Sequence, residues 1–134
     1  MKLGIRTVAM SAINALVLAL TVSSARADVP SELDVAAAAT QIQAQQIKVL
    51  DVREPDEYAT GVIQGALLIP LGKVETRLAE LAGYKEQPMY VVCASGGRSA
   101  QAIKVLRKHG FTQLTNIKGG MNAWRKNNLP VVAP

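Results

Sequence analysis

Short runs of apolar residues alternate along this chain with amphipathic stretches, and this alternation constrains the fold more than any other feature. Four runs rich in apolar and β-branched residues occupy positions 47–52, 66–70, 89–92 and 113–117. Strands that are joined through helices pair in parallel, and the helices then cover both faces of the sheet. The pattern predicts an α/β fold in which a small parallel β-sheet is flanked by helices on both faces.

The stretches between these runs carry helix signals. Ser31 or Asp34 can cap a first helix that ends near residue 45. Pro55 suits the first turn of a short helix that begins at residue 54. Further helices are predicted at about 73–81, 98–109 and 121–126. At 134 residues, the chain has room for one core, so we expect a single domain.

The first 27 residues have the pattern of a secretory signal peptide. Lys2 and Arg6 precede an apolar run over about 8–22, and Ala25 and Ala27 form a small-x-small cleavage site. A retained membrane anchor is the rival interpretation, but the run contains Asn14 and is shorter than the roughly 20 residues a spanning helix needs. We expect cleavage after residue 27, export to the periplasm or the medium, and no stable membrane insertion afterwards.

The net charge argues against nucleic acid as a partner. The formal charge is +5, from 15 Lys and Arg against 10 acids. Lys2, Arg6 and Arg26 leave with the signal peptide, so 12 cations remain against the same 10 acids, a net charge of +2. This mild excess lacks the clustered basic residues of a nucleic-acid-binding surface.

Cys93 is the only cysteine in the chain, so it has no disulfide partner within it. It either packs as an inert apolar side chain or reacts. Cys93 leads from a predicted strand into a glycine-rich loop, Ala94, Ser95, Gly96, Gly97, Arg98 and Ser99, at the start of a predicted helix. Unpaired N–H groups at a helix start lower a cysteine pKa, which favours a reactive thiolate.

With these residues in view, the chain resembles the rhodanese (sulfurtransferase) family in its single-domain form, over residues 40–132. The blocks that carry the resemblance are LDVREPDEY at 50–58, Gly65-Ala66 with Ile69-Pro70-Leu71, the loop 93–99, and KGGMNAW at 118–124. The resemblance implies that Cys93 takes a sulfane sulfur from a donor such as thiosulfate. It then passes the sulfur to cyanide or a thiol, and neither a metal nor an organic cofactor is required.

For the site, the resemblance implies that Cys93 is catalytic and that Ala94, Ser95, Gly96, Gly97, Arg98 and Ser99 bind the substrate. Four residues separate Cys93 from Arg98, whereas phosphatases and arsenate reductases of this fold have a loop one residue longer. Two alternatives stay open: a sulfur carrier that loads without turnover and serves a sulfur-relay protein partner, and, less favoured, phosphatase or arsenate reductase chemistry.

Two departures from the family pattern stand out. Residues 61–65 read GVIQG where the family has a histidine and a proline, and Ala94 stands where many relatives carry a basic residue. The second change bears on how the loop captures an anionic donor.

Other polar residues have structural interpretations beside functional ones. Arg98 can contact substrate or form a salt bridge, and Asp51 and Arg53 are expected to form a buried ion pair beside the site. His109 is expected at the far end of the helix that follows Cys93, and Trp124 in the core. Lys118 would add positive potential near the site.

Overall fold

The computed structural model describes residues 28–134, and a sheet of five parallel strands runs through their centre. The strands are β1 (Glu32–Leu33), β2 (Lys48–Asp51), β3 (Leu67–Leu68), β4 (Met89–Val92) and β5 (Leu114–Ile117). Their order across the sheet is β1-β5-β4-β2-β3, which makes β4 the central strand. The predicted parallel α/β architecture is confirmed.

Helices pack on both faces of the sheet. They are α1 (Val35–Gln45), α2 (Gly97–Lys108) and α3 (Gly120–Lys126), with 3-10 segments at Pro55–Thr60, Leu71–Lys73 and Glu75–Tyr84. Successive residues of a strand face opposite sides, so Val91 packs with α2 and Glu75–Tyr84, whereas Tyr90 and Val92 pack with α1 and α3. Each face therefore has its own apolar core.

The helix expected at 73–81 is instead a pair of 3-10 segments. Arg77 has non-helical backbone angles (φ −112°, ψ 21°) and donates to Glu80 over 2.6 Å. Val74 and Leu81 are fully buried, so this segment still packs apolar side chains into the core, although its helix type differs from the expected one.

The N-terminal part of the described chain contains a strand that the sequence pattern did not reveal. β1 pairs with the edge of β5, where Asn116 N–H donates to the Ser31 carbonyl and Lys118 N–H to the Leu33 carbonyl. Asp34, rather than Ser31, caps α1, since its Oδ1 accepts the Ala37 N–H at 2.8 Å. These residues precede position 40, where the domain was expected to start, and they pack on the same sheet.

The segment after α3 folds back onto the domain. Val132 forms an antiparallel bridge with Val62, and Trp124 Nε1 donates to the Pro130 carbonyl at 3.0 Å. Trp124 is a core residue, as expected. Within residues 28–134, no helix is long and apolar enough to cross a membrane. The predicted signal peptide, 1–27, lies outside the described residues.

Candidate active site around Cys93

Cys93 lies directly after the central strand, and α2 begins four residues later at Gly97. In a parallel sheet, sites form at the carboxyl ends of the strands, where successive loops meet. Gly96 makes the turn into α2 with φ +114°, a backbone conformation that glycine adopts without steric cost. The predicted loop, 93–99, is therefore one continuous connection at this edge of the sheet.

The thiol of Cys93 is buried but lies among hydrogen-bond donors. Gly96 N–H donates to Sγ at 3.0 Å, and Ser99 Oγ lies 3.4 Å from Sγ. Burial alone would raise the pKa of Cys93. Hydrogen bonds from the Ser99 hydroxyl and from the N–H groups of Ser99, Gly96 and Ser95 outweigh burial, so the net pKa is lower than usual. A thiol sealed among apolar groups would have the opposite shift.

A buried polar pair braces the loop from the side of β5. Ser99 Oγ is 2.6 Å from Asn116 Oδ1, and Asn116 Nδ2 donates to the Gly96 carbonyl at 3.1 Å. Ser99 is fully buried and Asn116 is 9% exposed. Ser99, which was predicted to bind the substrate, lies 3.4 Å from Sγ. Asn116 was not predicted, and the available signal was the pair of polar residues, Thr115 and Asn116, inside a predicted strand.

The start of α3 holds the other side of the loop. Met121 N–H donates to the Cys93 carbonyl at 2.8 Å, and Asn122 N–H donates to the Ala94 carbonyl at 3.0 Å. This close approach requires Gly120, because a Cβ there would collide with the Cys93 and Ala94 carbonyls. The sequence analysis did not predict this backbone contact between Gly120 and the loop.

Arg98 forms an ion pair across the site. Its guanidinium donates to both carboxylate oxygens of Glu57, at 2.6 and 2.7 Å, and about a third of each side chain is exposed. The hydrogen bond from Arg98 is the largest cause that lowers the pKa of Glu57 to about 2. Arg98 is thus tied to Glu57, a residue that the sequence had not singled out.

The expected ion pair of Asp51 and Arg53 is present and buried. Arg53 Nη2 contacts Asp51 Oδ2 at 2.6 Å, and the same guanidinium donates to the carbonyls of Glu57 (3.1 Å) and Gly61 (2.9 Å). Arg53 therefore fixes the 3-10 segment that carries Glu57. Through Glu57, the pair also sets the position of Arg98.

The remaining predicted loop residues form the outer surface of the site. Ser95 and Gly97 are exposed, whereas Ala94 and Gly96 are half-buried. Lys118 is exposed after β5, on this edge of the sheet. His109 caps the opposite end of α2 and lies 3.2 Å from Glu75, away from the loop, as expected. In residues 28–134, no group of three or more His, Cys, Asp or Glu is placed to hold a metal ion.

This arrangement of fold and loop can be compared with known proteins. The sequence model of the rhodanese-like domain matches residues 34–127, well over half of the chain. The chain belongs to the rhodanese-like family. A rhodanese-related protein of Thermoplasma volcanium has a crystal structure with a TM-score of 0.70 and 30% identity. It matches 78% of this chain and all of its own.

Relatives of this rhodanese-family chain include proteins that are named for sulfur transfer. A sulfurtransferase of Allochromatium vinosum is 36% identical over 90 residues, which cover 67% of this chain and 82% of the relative. Thiosulfate sulfurtransferase 16 of Arabidopsis thaliana, a chloroplast protein, is 35% identical over 115 residues, which cover 78% of this chain and 95% of the relative. Sulfur transfer in general is thus the activity that the family membership supports.

Proposed function

We propose that this protein is a sulfurtransferase that moves a sulfane sulfur through a Cys93 persulfide. The donor is of the thiosulfate type and the acceptor is a thiophile, such as cyanide or a thiol. The observation that carries the proposal is the cluster of donors around Sγ: the Gly96 N–H at 3.0 Å and the Ser99 hydroxyl at 3.4 Å. These groups favour an anionic sulfur, which is the nucleophile in the first step and the product of that step.

In the first step, the Cys93 thiolate attacks the sulfane sulfur of the donor. A new S–S bond forms and the S–S bond of the donor breaks. With thiosulfate, sulfite leaves with the bonding electron pair. Cys93 is left as a persulfide anion, so no external oxidant or reductant is consumed.

In the second step, a thiophile attacks the outer sulfur of the persulfide. The S–S bond to Cys93 breaks and its electron pair returns to Sγ, which restores the thiolate. When the thiophile is cyanide the product is thiocyanate, and when it is a thiolate the product is a persulfide anion. The persulfide lacks a proton to donate, and the N–H groups of 94–99 are donors only, so we propose that this loop holds the outer sulfur.

The charges around the loop bear on the identity of the sulfur donor. Arg98 is neutralised by Glu57, and Ala94 adds no charge. The loop therefore depends on backbone N–H groups and the dipole of α2 to attract an anion. This weakens the case for thiosulfate relative to uncharged donors of sulfane sulfur, such as organic trisulfides.

The deciding experiment is mass spectrometry of residues 28–134 after incubation with thiosulfate or polysulfide. We expect the mass of one added sulfur at Cys93, its removal by cyanide with release of thiocyanate, and no addition to Cys93→Ala. An unmodified wild-type protein, or equal turnover by Cys93→Ala, would overturn the proposal. Stoichiometric loading without repeated turnover would identify a sulfur carrier. Hydrolysis of an aryl phosphate that Cys93→Ser abolishes would identify a phosphatase.

We also propose that the protein works outside the cytoplasm, in the periplasm or after secretion, and delivers sulfur there to small thiols or to a sulfur-relay protein. Support comes from the signal-like pattern of residues 1–27. N-terminal sequencing of protein from the cell envelope should give Asp28 as the first residue. A chain that retains residue 1 and stays in the cytosol would contradict export.

A further inference from the structure

The hydroxyl of Ser99 is buried with more acceptors around it than it has hydrogens. Its oxygen lies 3.4 Å from Cys93 Sγ, 3.1 Å from the Gly96 carbonyl oxygen and 2.6 Å from Asn116 Oδ1. A serine has a single hydrogen to donate, so it serves at most one of these acceptors well at a time. Which acceptor it serves decides whether Cys93 receives a donor from this side.

We propose that Asn116 is a positioning residue that controls the direction of the Ser99 hydroxyl and, through it, the reactivity of Cys93. The effect on the thiol follows from hydrogen bonding alone. Its consequence for turnover rests on the proposed function.

The orientation of the Asn116 amide is set by its second contact. Nδ2 donates to the Gly96 carbonyl at 3.1 Å. If the amide were flipped, its oxygen would face that carbonyl oxygen, and two acceptors would be left in contact. Asn116 therefore presents Oδ1 to Ser99. At 2.6 Å, this contact is the shortest that the hydroxyl makes.

The protonation state of Cys93 changes what Ser99 must do. When Cys93 is a thiol, its S–H can donate to Ser99 Oγ while the Ser99 hydroxyl donates to Asn116. When Cys93 is a thiolate, Sγ can only accept, so the hydroxyl hydrogen must turn from Asn116 to Sγ. The Gly96 carbonyl is unaffected by this turn, because the Ala100 N–H (3.2 Å) and Asn116 Nδ2 also donate to it.

Asn116 Oδ1 then needs a replacement donor. Asn116 is 9% exposed and borders a cleft of about 310 Å³ that is also lined by Ser31, Lys104 and Arg107. A water molecule in this cleft can donate to Oδ1 in place of the hydroxyl hydrogen. Ionisation of Cys93 therefore exchanges a 2.6 Å bond for a bond to solvent, and the cost of that exchange opposes the thiolate.

The neighbouring charges do not compete for the same hydroxyl. They are Arg98, Lys104 and Arg107 on α2, Glu57 in Pro55–Thr60, Asp51 and Arg53 at the end of β2, Glu32 on β1 and Lys118 after β5. Within residues 28–134, none of these side chains hydrogen-bonds to Ser99 or to the Asn116 amide. Glu57 has a pKa of about 2, so it stays ionised where Cys93 titrates.

The test is the rate at which iodoacetamide alkylates Cys93 as a function of pH. Cys93 is the only cysteine, so the readout belongs to one site. Below the wild-type midpoint, we expect Asn116→Ala to react about three- to tenfold faster, because the hydroxyl is then free to serve Sγ. Ser99→Ala should react more slowly than wild type. The double variant should match Ser99→Ala, since Asn116 acts only through Ser99.

Two outcomes would overturn the proposal: Asn116→Ala that reacts no faster than wild type, or an Asn116→Ala effect that persists when Ser99 is already alanine. If Asn116 only stabilised the loop, Asn116→Ala would loosen the loop and break the hydrogen bond from the Gly96 N–H to Sγ. Alkylation would then be slower than in wild type, the opposite of the expected change. These rates do not depend on sulfur transfer. If the protein does not load sulfur but its variants show the expected alkylation rates, the proposed function is contradicted and the role of Asn116 is not.

A second measurement needs no change at Asn116. In the wild-type protein, the side-chain amide resonances of Asn116 should shift with pH at the same midpoint as Cys93 alkylation, and Cys93→Ser should abolish this shift. The amide of Asn127, which donates to the Ala123 carbonyl on the exposed side of α3, is the control and should not follow Cys93. An Asn116 amide that stays constant through the Cys93 titration would disprove the coupling.

Discussion

Gly120 packs its bare Cα against the carbonyl group of Ala94, and this contact joins α3 to the Cys93 loop. A Cβ at Gly120 would lie 2.6 Å from both the carbon and the oxygen of that carbonyl. The backbone around it cannot move freely, because the next two N–H groups donate to the Cys93 and Ala94 carbonyls. The shape of the site therefore depends on a residue that contributes no side chain.

Gly120→Ala should therefore displace the loop. We expect a loss of about 1–3 kcal/mol in the free energy of unfolding from overpacking. Sulfur loading should fall by about tenfold to a hundredfold, because reacting groups tolerate little misplacement. Gly65→Ala is the matched control, since Gly65 also has positive φ (+76°) but open space around its Cβ position. The control should lose stability through backbone strain and keep its loading rate. Equal loading by both variants would contradict the contact's role.

Asp51→Asn should strongly destabilise the fold. Arg53 is 1% exposed, and neutralising its partner leaves a buried guanidinium without its counter-charge. Breaking a buried pair in this way costs about 3–5 kcal/mol. Glu80→Gln, which breaks the exposed pair with Arg77, is the control and should stay close to wild type. Urea unfolding of both variants at neutral pH measures the difference, and similar midpoints would show that the buried pair matters little.

Glu57 should make stability depend on pH in the acidic range. Its pKa falls from an ordinary 4.5 to about 2 in the folded protein, chiefly through the hydrogen bond from Arg98. A lowered folded-state pKa stabilises the fold above pH 4.5, and this contribution is lost as the pH falls toward 2.

We therefore expect Glu57→Gln to be less stable than wild type at pH 7 by about 1–2 kcal/mol, a value that allows for solvent screening of a partly exposed pair. The two proteins should converge as the pH approaches 2, in urea unfolding followed across the acidic range. Thr76→Val, which removes an exposed hydroxyl that bonds only the Lys73 carbonyl, provides a variant whose difference from wild type should not change with pH. A constant gap for Glu57→Gln would rule out the linkage.

Arg98→Gln should discriminate between sulfur donors by charge. Removal of the guanidinium leaves the Glu57 carboxylate unpaired beside the loop, where it repels anions. Loading by thiosulfate should slow about three- to tenfold more than loading by an uncharged organic trisulfide. Lys104→Gln, an exposed cation further along α2, should change neither rate. An equal loss with both donors would assign Arg98 a purely structural role.

Much of this fold could be predicted because its signals are local. The apolar run at Met89–Val92 predicted the central strand with its observed ends, and the glycines of loop 93–99 predicted the turn into α2. Asp51 and Arg53 stand two positions apart at a strand end, so their pairing was also within reach of the sequence. Each of these features depends on residues that are close to one another in the sequence.

Other features escaped because their partners are distant in sequence. β1 has only two residues and no periodicity of its own, so its pairing with β5 was not visible. Arg98 and Glu57 are 41 positions apart, and Ser99 and Asn116 are 17 apart. No local pattern states which of several partners a long polar side chain will choose.

The sequence by itself determined the parallel α/β class, the single cysteine at a strand end and the donor-rich loop that follows it, because strand period, glycine conformation and helix starts act over a few residues. Only the tertiary structure decided that Arg98 is neutralised by Glu57, that Ser99 is shared with Asn116 and that Gly120 abuts the loop. Those choices follow from which side chains the packed sheet brings within hydrogen-bonding distance, and chain order alone does not specify such distances.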